Sequence, residues 1–578
     1  MAKEFRKDDV ASKGKKSDED NGAMSCDKKT NSNYRKRNSR NNRYRKDGNR
    51  PTNKSDSRSG QGHHTSSAYV GVGNDPRWYS GDSQLIADAS KFSFANQLGS
   101  KIFTRPHPTL ASGGGYITSD VIPGVAALKM VNTPGIAGDQ SDGVNIAAAD
   151  LFQRMRAGLN TYAAYAAPDV MMYVLAVDAV YSMYGNIARV FGILPTYQGA
   201  NLYTPTRLLH AGYGFSEAEV AAIIKEKANY LTRFNQLVFK ASTLYLPIDF
   251  TVVSRHAWLY MNYFVDESST KAQYYIHRMM GAHKLNETLS DQGTFLEYIE
   301  NPTTLSGLLD QFEVMINAIR NSDSMQKIRA DMEGALKEST KWTLSYIQDT
   351  YVLAPVSDPL VLLQIHNTSI YPTFMYEHLK TIAQPVDNEF GFAITQSVTR
   401  NVIIAGPRYA FTGNETASQL TSWNTICQEK MLDFPVQDVT SDLIIEATRN
   451  TLGGAISTLN DKQYATLMNT GVDLCVGLTI EGRNPFDMDS IYSLDIDGQA
   501  VSVSNAVELR GLVMLSRFYS APYLVVQNVG WGQSGGESTL IGSVNNYTMV
   551  DATNISTLNS AIMIAMWGIP GTKMNYNK

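Results

Sequence analysis

The sequence predicts a mainly α-helical protein with a mixed α+β second half, preceded by a disordered basic N-terminal arm. Three observations carry that prediction. Apolar residues recur at helical spacing between Ala147 and Leu336; beyond about Tyr351 the pattern turns to alternation broken by proline and glycine; and the segment 1–66 holds few side chains to bury. With 578 residues, 43% of them apolar, the chain exceeds what one hydrophobic core usually serves, so more than one structural unit is expected.

Charge is spread unevenly. The segment from Met1 to Gly60 carries 18 Lys/Arg against 9 Asp/Glu, so the totals of 51 and 55 leave 33 basic and 46 acidic side chains for the remainder. A net charge of −4 therefore conceals an arm at +9 and a body at −13. The stretch from Met1 to Asp27 mixes six basic with seven acidic side chains, so the positive field concentrates in Lys28 to Arg50, KKTNSNYRKRNSRNNRYRKDGNR. Ten cations stand there against Asp47 alone: Lys28, Lys29, Arg35, Lys36, Arg37, Arg40, Arg43, Arg45, Lys46 and Arg50. Guanidinium forks match phosphate oxygens and each neutralised phosphate releases counterions, so this run is the candidate nucleic-acid-binding element. It contains nothing that would read a base sequence. Residues 1–66 cannot offset the entropy of ordering and are expected to be disordered alone.

In the body, Ala68 to Ile146 reads as extended segments and loops, being rich in glycine, proline and small residues. Helices are predicted over Ala147 to Ala166 and Val170 to Leu194, with Pro168 suited to a first helical turn. The second is the most apolar stretch of the chain, but Asp178 and Arg189 interrupt it, so it reads as a buried core helix and not a membrane span. Ser216-Glu217-Ala218-Glu219 has capping-box spacing, followed by Val220, Ile223, Ile224, Ala228 and Leu231 on one predicted face. Another helix, a turn at Leu246 to Asp249 and a helix from about Ser254 come next. Leu305, Leu308, Leu309, Phe312, Met315, Ile316 and Ile319 make one apolar stripe, and Met325, Ile328, Met332 and Leu336 a second that reads as plain core.

Past Tyr351 the expected elements are turns through Val352 to Ile370, where Pro355 and Pro359 fall, and a strand over Ala393 to Ala405 ended by Gly406-Pro407. A hairpin about Asp497-Gly498 within Ile491 to Val503, and helices at Ser441 to Leu452 and Ser504 to Tyr519, complete the pattern. The 31 tyrosines suggest amphipathic contact surface.

Chemical motifs are sparse. Cys26, Cys427 and Cys475 allow neither a disulfide framework nor zinc spacing. The opening MAKEFRKDDV lacks the apolar core of a signal peptide, so the expectation is a protein made inside cells and leaving, if at all, by lysis. Gly530, Gly532 and Gly535 match a dinucleotide fingerprint, but no helix is predicted after them and too little chain follows for a doubly wound sheet. Ser534, Gly535 and Thr539 approximate a polymerase motif without the paired aspartates that two-metal nucleotidyl transfer requires. His277 and His283 lie six apart, His63 and His64 sit in the arm, and Arg255-His256 beside Trp258 is expected to pack or pair within its helix. No metal, cofactor or catalytic residue is expected. One reaction stays open, a self-cleavage where arm meets body (Gly60 to Trp78), with Gln61 to Ala68 ranked ahead of Asn74-Asp75-Pro76.

The arm, together with LPIDFTVVSRHAWLYMNYFVDESSTKAQYYIHRMM (Leu246 to Met280), resembles the capsid proteins of picobirnaviruses, small double-stranded RNA viruses. That resemblance implies a helix-rich viral shell domain plus a projecting domain, and symmetric homodimers assembled into an icosahedral shell around genomic RNA. The corresponding division is a basic RNA-binding arm (1–66), a helix-rich shell domain (67–350), a mixed and projecting region (351–500) and a C-terminal region returning to the shell (501–578). It further implies a virion protein, present in host cytoplasm during assembly, with the viral polymerase as an additional partner. An N-terminal peptide ending before about Ala68 would be removed autoproteolytically and be the one route to a membrane, although no amphipathic helix is evident in it. The alternative from another class is a non-shell RNA-binding scaffold or nucleoprotein.

Overall fold

The computed structural model describes residues 82–91, 101–105, 118–121, 124–159, 164–195, 203–268, 272–287, 293–337, 339–385, 388–427, 430–436, 438–481, 485–488, 493–494, 520, 522, 526–529, 537–540 and 547–568. The chain divides into two compact units, Lys3–Ala95 and Asn96–Lys578, with the two leading residues counted in the second. In the first, the described element is the helix Ser83–Ala89. Asp82 caps it by accepting from the Gln84 N–H at 2.9 Å, and Leu85 and Ile86 are exposed.

The second unit is built on the helix Ala167–Ile193. Pro168 opens it, and the Asp169 carboxylate accepts from the Ala166 N–H at 2.9 Å. Every residue of this central helix except Asp169 is buried. It is long and apolar enough to cross a membrane by length and composition, yet the whole of that apolar window lies inside the protein. The helices Gly143–Gly158, Thr251–Met261 and Leu305–Arg320 pack around it. Thr251–Met261 approaches so closely that a Cβ on Gly185 would stand 3.1 Å from the Ala257 carbonyl oxygen. Glycine is what lets the two backbones meet there.

A five-stranded sheet lies beside these helices in the order Pro485–Met488, Asp473–Glu481, Val125–Asn132, Tyr274–Met279, Phe264–Val265. Only Val125–Asn132 and Tyr274–Met279 run parallel, joined by the intervening helices. VAALKMVN is buried at seven of eight positions, so it carries no alternation that a period-2 search would detect. The sheet draws strands from both sides of position 350. In the second half, Gly453–Leu459 and Lys462–Asn469 form a hairpin whose two-residue turn, Asn460-Asp461, has φ of 50° and 62°. The last helix, Ala552–Met566, sets Met563 against Gly135 and Gly143 and is followed by Trp567, 6.1 Å from the Phe250 ring.

Several predicted elements form with shifted limits or different partners. The helix predicted over Ala147 to Ala166 is Gly143–Gly158, and the helix Ser83–Ala89 falls within the stretch expected to be extended segments and loops. The helix beginning at Glu217 breaks after Lys225, at Glu226, before Lys227–Ala241 starts. Val220, Ile223 and Leu231 are buried as expected, whereas Ile224, before the break, and Ala228, after it, are exposed. Ser216 accepts from the Glu219 N–H at 3.1 Å, which is half of a capping box; the Glu219 carboxylate instead accepts from the Leu305 N–H at 2.9 Å. Pro359 starts a helix, Pro359–His366, capped by Asp358, where turns were expected. The Ala393 to Ala405 stretch is two strands, Thr395–Ser397 and Val402–Ile404, reversed through Asn401 at φ 55°. Within Ile491 to Val503 the described strand Ser493–Leu494 pairs with Glu537–Leu540, and Asp497-Gly498 lies outside the described residues. Ser504 to Tyr519 lies outside them as well. The strands Val526–Val529 and Glu537–Leu540 pair across the glycine-rich run, in antiparallel fashion and not as a strand leading into a helix.

Several tyrosines serve the core of the subunit. Tyr173, Tyr181 and Tyr260 are fully buried, and their hydroxyls donate to the Tyr245 carbonyl (2.8 Å), the Leu244 carbonyl (3.1 Å) and Asn132 Oδ1 (2.6 Å). Their apolar rings fill the core while each hydroxyl ties down a loop or strand end.

Candidate functional site

The ten arm cations, Lys28 to Arg50, lie outside the described residues, as do His63, His64 and the Gln61 to Ala68 junction. The densest polar constellation that the structure does describe sits in the core, where the central helix, Thr251–Met261 and Asp473–Glu481 meet. His256 Nδ1 faces Asp178 Oδ2 at 2.7 Å, and its Nε2 faces the Val472 carbonyl at 3.1 Å and Asp473 Oδ1 at 3.5 Å. Both ring nitrogens thus meet acceptors. Burial opposes a charge on this ring, but Asp178, Asp473 and the Val472 carbonyl outweigh it and hold the imidazole pKa above its ordinary value.

Arg255, the preceding residue, turns the other way along the same helix. Its Nε donates to Asp473 Oδ2 at 2.5 Å, Nη1 to Gln364 Oε1 at 3.0 Å and Nη2 to Asn450 Oδ1 at 3.4 Å. Gln364 in turn donates to Glu446 Oε2 at 2.6 Å. Burial would raise the Asp473 pKa, but Arg255 and His256 keep it below the usual carboxylate value. Arg255-His256 therefore pairs between elements and not within its own helix, which corrects the sequence expectation. The cause is that consecutive helical residues point about 100° apart, so Arg255 reaches Asp473 and Gln364 while His256 also reaches Asp178 on the central helix.

The second polar interruption of the central helix, Arg189, is fully buried. It donates to Tyr213 Oη at 2.8 Å, to the His277 and Asn262 carbonyls at 2.8 and 3.1 Å, and to Asn186 Oδ1 at 3.0 Å. His277 and His283 are both buried but serve separate partners: His277 packs edge-on against Phe264, and His283 Nε2 bonds the Phe392 carbonyl at 2.9 Å. Burial depresses both, His277 to about 3, so both rings are neutral.

This constellation ties the central helix, Thr251–Met261 and the sheet together as a clamp. Among the described residues no Ser, Thr or Cys side chain stands at hydrogen-bond distance from either nitrogen of His256. Among them, too, no three His, Cys, Asp or Glu side chains converge as a metal would need. The clamp's members are scattered from Asp178 to Asp473, and the signal that could have located two of them was the charge inside an otherwise apolar run. Gln364, Glu446, Asn450 and Asp473 carried no such mark.

A helix-rich body locked by a buried charge clamp suits a structural subunit, and the comparisons agree. The family described as Picobirnavirus, Capsid protein matches residues 78–473. The chain belongs to the picobirnavirus capsid protein family. The arm cations precede the matched stretch. A capsid protein precursor from human picobirnavirus (strain Human/Thailand/Hy005102/-) is 24% identical over 524 residues, covering 87% of this chain and 92% of that protein. A chain solved in the X-ray crystallographic structure of the picobirnavirus capsid superposes with a TM-score of 0.69 at 20% identity, over 87% of this chain and all of that one. Membership makes this chain a structural, shell-building virion protein, and the capsid fold extends well beyond Leu246 to Met280.

Proposed function

We propose that this capsid protein assembles through symmetric homodimers into an icosahedral shell and that its arm, through Lys28 to Arg50, neutralises packaged RNA. The observation that supports the RNA role is the charge split, +9 from Met1 to Gly60 against −13 in the remainder. Such an arm binds phosphate in a strongly salt-dependent way, while the acidic body repels nucleic acid from the rest of the subunit. The RNA is taken without sequence preference, and the viral polymerase is carried with it. The projecting portion is drawn from within 351–500, with strand Asp473–Glu481 kept in the core sheet. Removal of an N-terminal peptide before about Ala68 is self-catalysed and limits membrane contact to the released piece. Assembly takes place in host cytoplasm.

The test is RNA content. Particles made without the viral genome are expected to package cellular RNA, and particles lacking residues 1–66 to lose most of it. Equal ultraviolet absorbance ratios for the two would overturn the arm's role. Intact mass of the assembled subunit tests cleavage.

A further inference from the structure

Two small cavities meet at the end of strand Val125–Asn132, each of about 10 Å³, and share Asn132, Thr133, Pro134, His283 and Ile394 in their walls. That volume suits one water molecule. Asp178 lines the first. Its Oδ2 is committed to His256, but its Oδ1 is buried with no hydrogen-bond partner among the described residues. A buried carboxylate oxygen left bare forfeits the hydrogen bonds it makes to water in the unfolded chain. Across the cavity, His283 gives its Nε2 hydrogen to the Phe392 carbonyl, so in the neutral ring Nδ1 keeps a free lone pair. Thr133 adds a hydroxyl whose acceptor, the Gly135 carbonyl, is a long 3.4 Å away.

We propose that this cavity is a binding site for one ordered water, which donates to Asp178 Oδ1 and to His283 Nδ1 and accepts from the Thr133 hydroxyl. The occupant is water and not a cation, because the negative charge of Asp178 already faces His256, the Asn132 amide is committed to Ser182 and Tyr260, and Leu175, Ala179, Met279, Ala282 and Ile394 make the remaining wall apolar. The water completes a chain from the Val472 carbonyl through His256 and Asp178 to His283 and the Phe392 carbonyl. It thereby joins the second-half segments at 392 and 472 to the central helix.

A map of the assembled particle that resolves ordered waters is expected to show a peak within hydrogen-bond distance of both Asp178 Oδ1 and His283 Nδ1. No peak there, or a peak that scatters anomalously after rubidium exchange, overturns the proposal. Two variants read the same site by melting temperature. Ala179→Ser offers Asp178 a substitute donor and is expected to melt near the wild-type temperature, whereas Ala179→Val expels the water without replacing it and melts several degrees lower. If Val is tolerated as well as or better than Ser, the cavity is dry and the proposal falls.

Discussion

The core at His256 and the hairpin at 453–469 invert each other. In the core the chain buries a histidine and two aspartates beside a half-buried arginine; at the hairpin it leaves Ile456, Leu459 and Met468 at 49%, 42% and 37% exposure. Residue type predicts neither arrangement. The difference lies in what each group can find around it. Asp473 is 1% exposed and meets Arg255 and His256, which offset its lost hydration. Ile456 lies on an outer strand whose one partner in its sheet is Lys462–Asn469, so part of its surface stays in water.

Breaking the clamp should have the largest effect. Asp473→Ala strands Arg255 and His256 without their shared acceptor, and a loss of ~3–5 kcal/mol is expected from urea unfolding of the unassembled subunit. A loss below about 0.5 kcal/mol would put this pair in the class of surface ion pairs and erase the contrast. Asp178→Asn keeps the shape but withdraws the charge beside His256, and should cost ~1–3 kcal/mol.

Acidity sharpens the comparison next. The His277 pKa is pushed down to about 3 by burial, with Arg255 and Arg189 assisting against Asp473, and His283 is lowered as well. Each folded value lies below the unfolded one, so the stability they contribute is present above about pH 6.5 and drains away as pH falls through the folded values, about 3 for His277. His256 has the opposite sign: its raised pKa contributes below about pH 6.5 and is lost as pH climbs through the folded value. His277→Asn should therefore flatten the acid limb of a urea-midpoint profile, and an unchanged limb would assign acid sensitivity elsewhere. Smallest of all, Leu459→Ser should alter subunit stability by no more than about 0.5 kcal/mol. A cost of about 2 kcal/mol or more would mean that the hairpin face is covered in the folded subunit and that the contrast is false.

Much of the helical body is legible in the sequence because its helices each carry their own period. The stripe from Leu305 to Ile319 is buried at all seven predicted positions, and Pro168 opens the central helix as expected. Local signals failed where a residue's partner is remote. Glu219 looked like half of a capping box, yet it serves the helix starting at Leu305, because that unsatisfied N–H lies within reach. Val125–Asn132 was legible only as extended chain, since burial on both faces removes the alternation that would announce a sheet strand.

By itself the sequence determined the charge split between arm and body, the positions of the main core helices, and the character of Val170 to Leu194 as a buried helix. Those are properties of composition and short-range period, set by side chains a few positions apart. The tertiary structure alone decided that Asp178, His256 and Asp473 form one clamp. Asp178 and His256 stand 78 positions apart, Asp473 lies farther still along the chain, and no local rule couples groups at such separations. Only packing of the central helix, Thr251–Met261 and the sheet brings them within hydrogen-bond reach, and burial then makes each of them depend on the others.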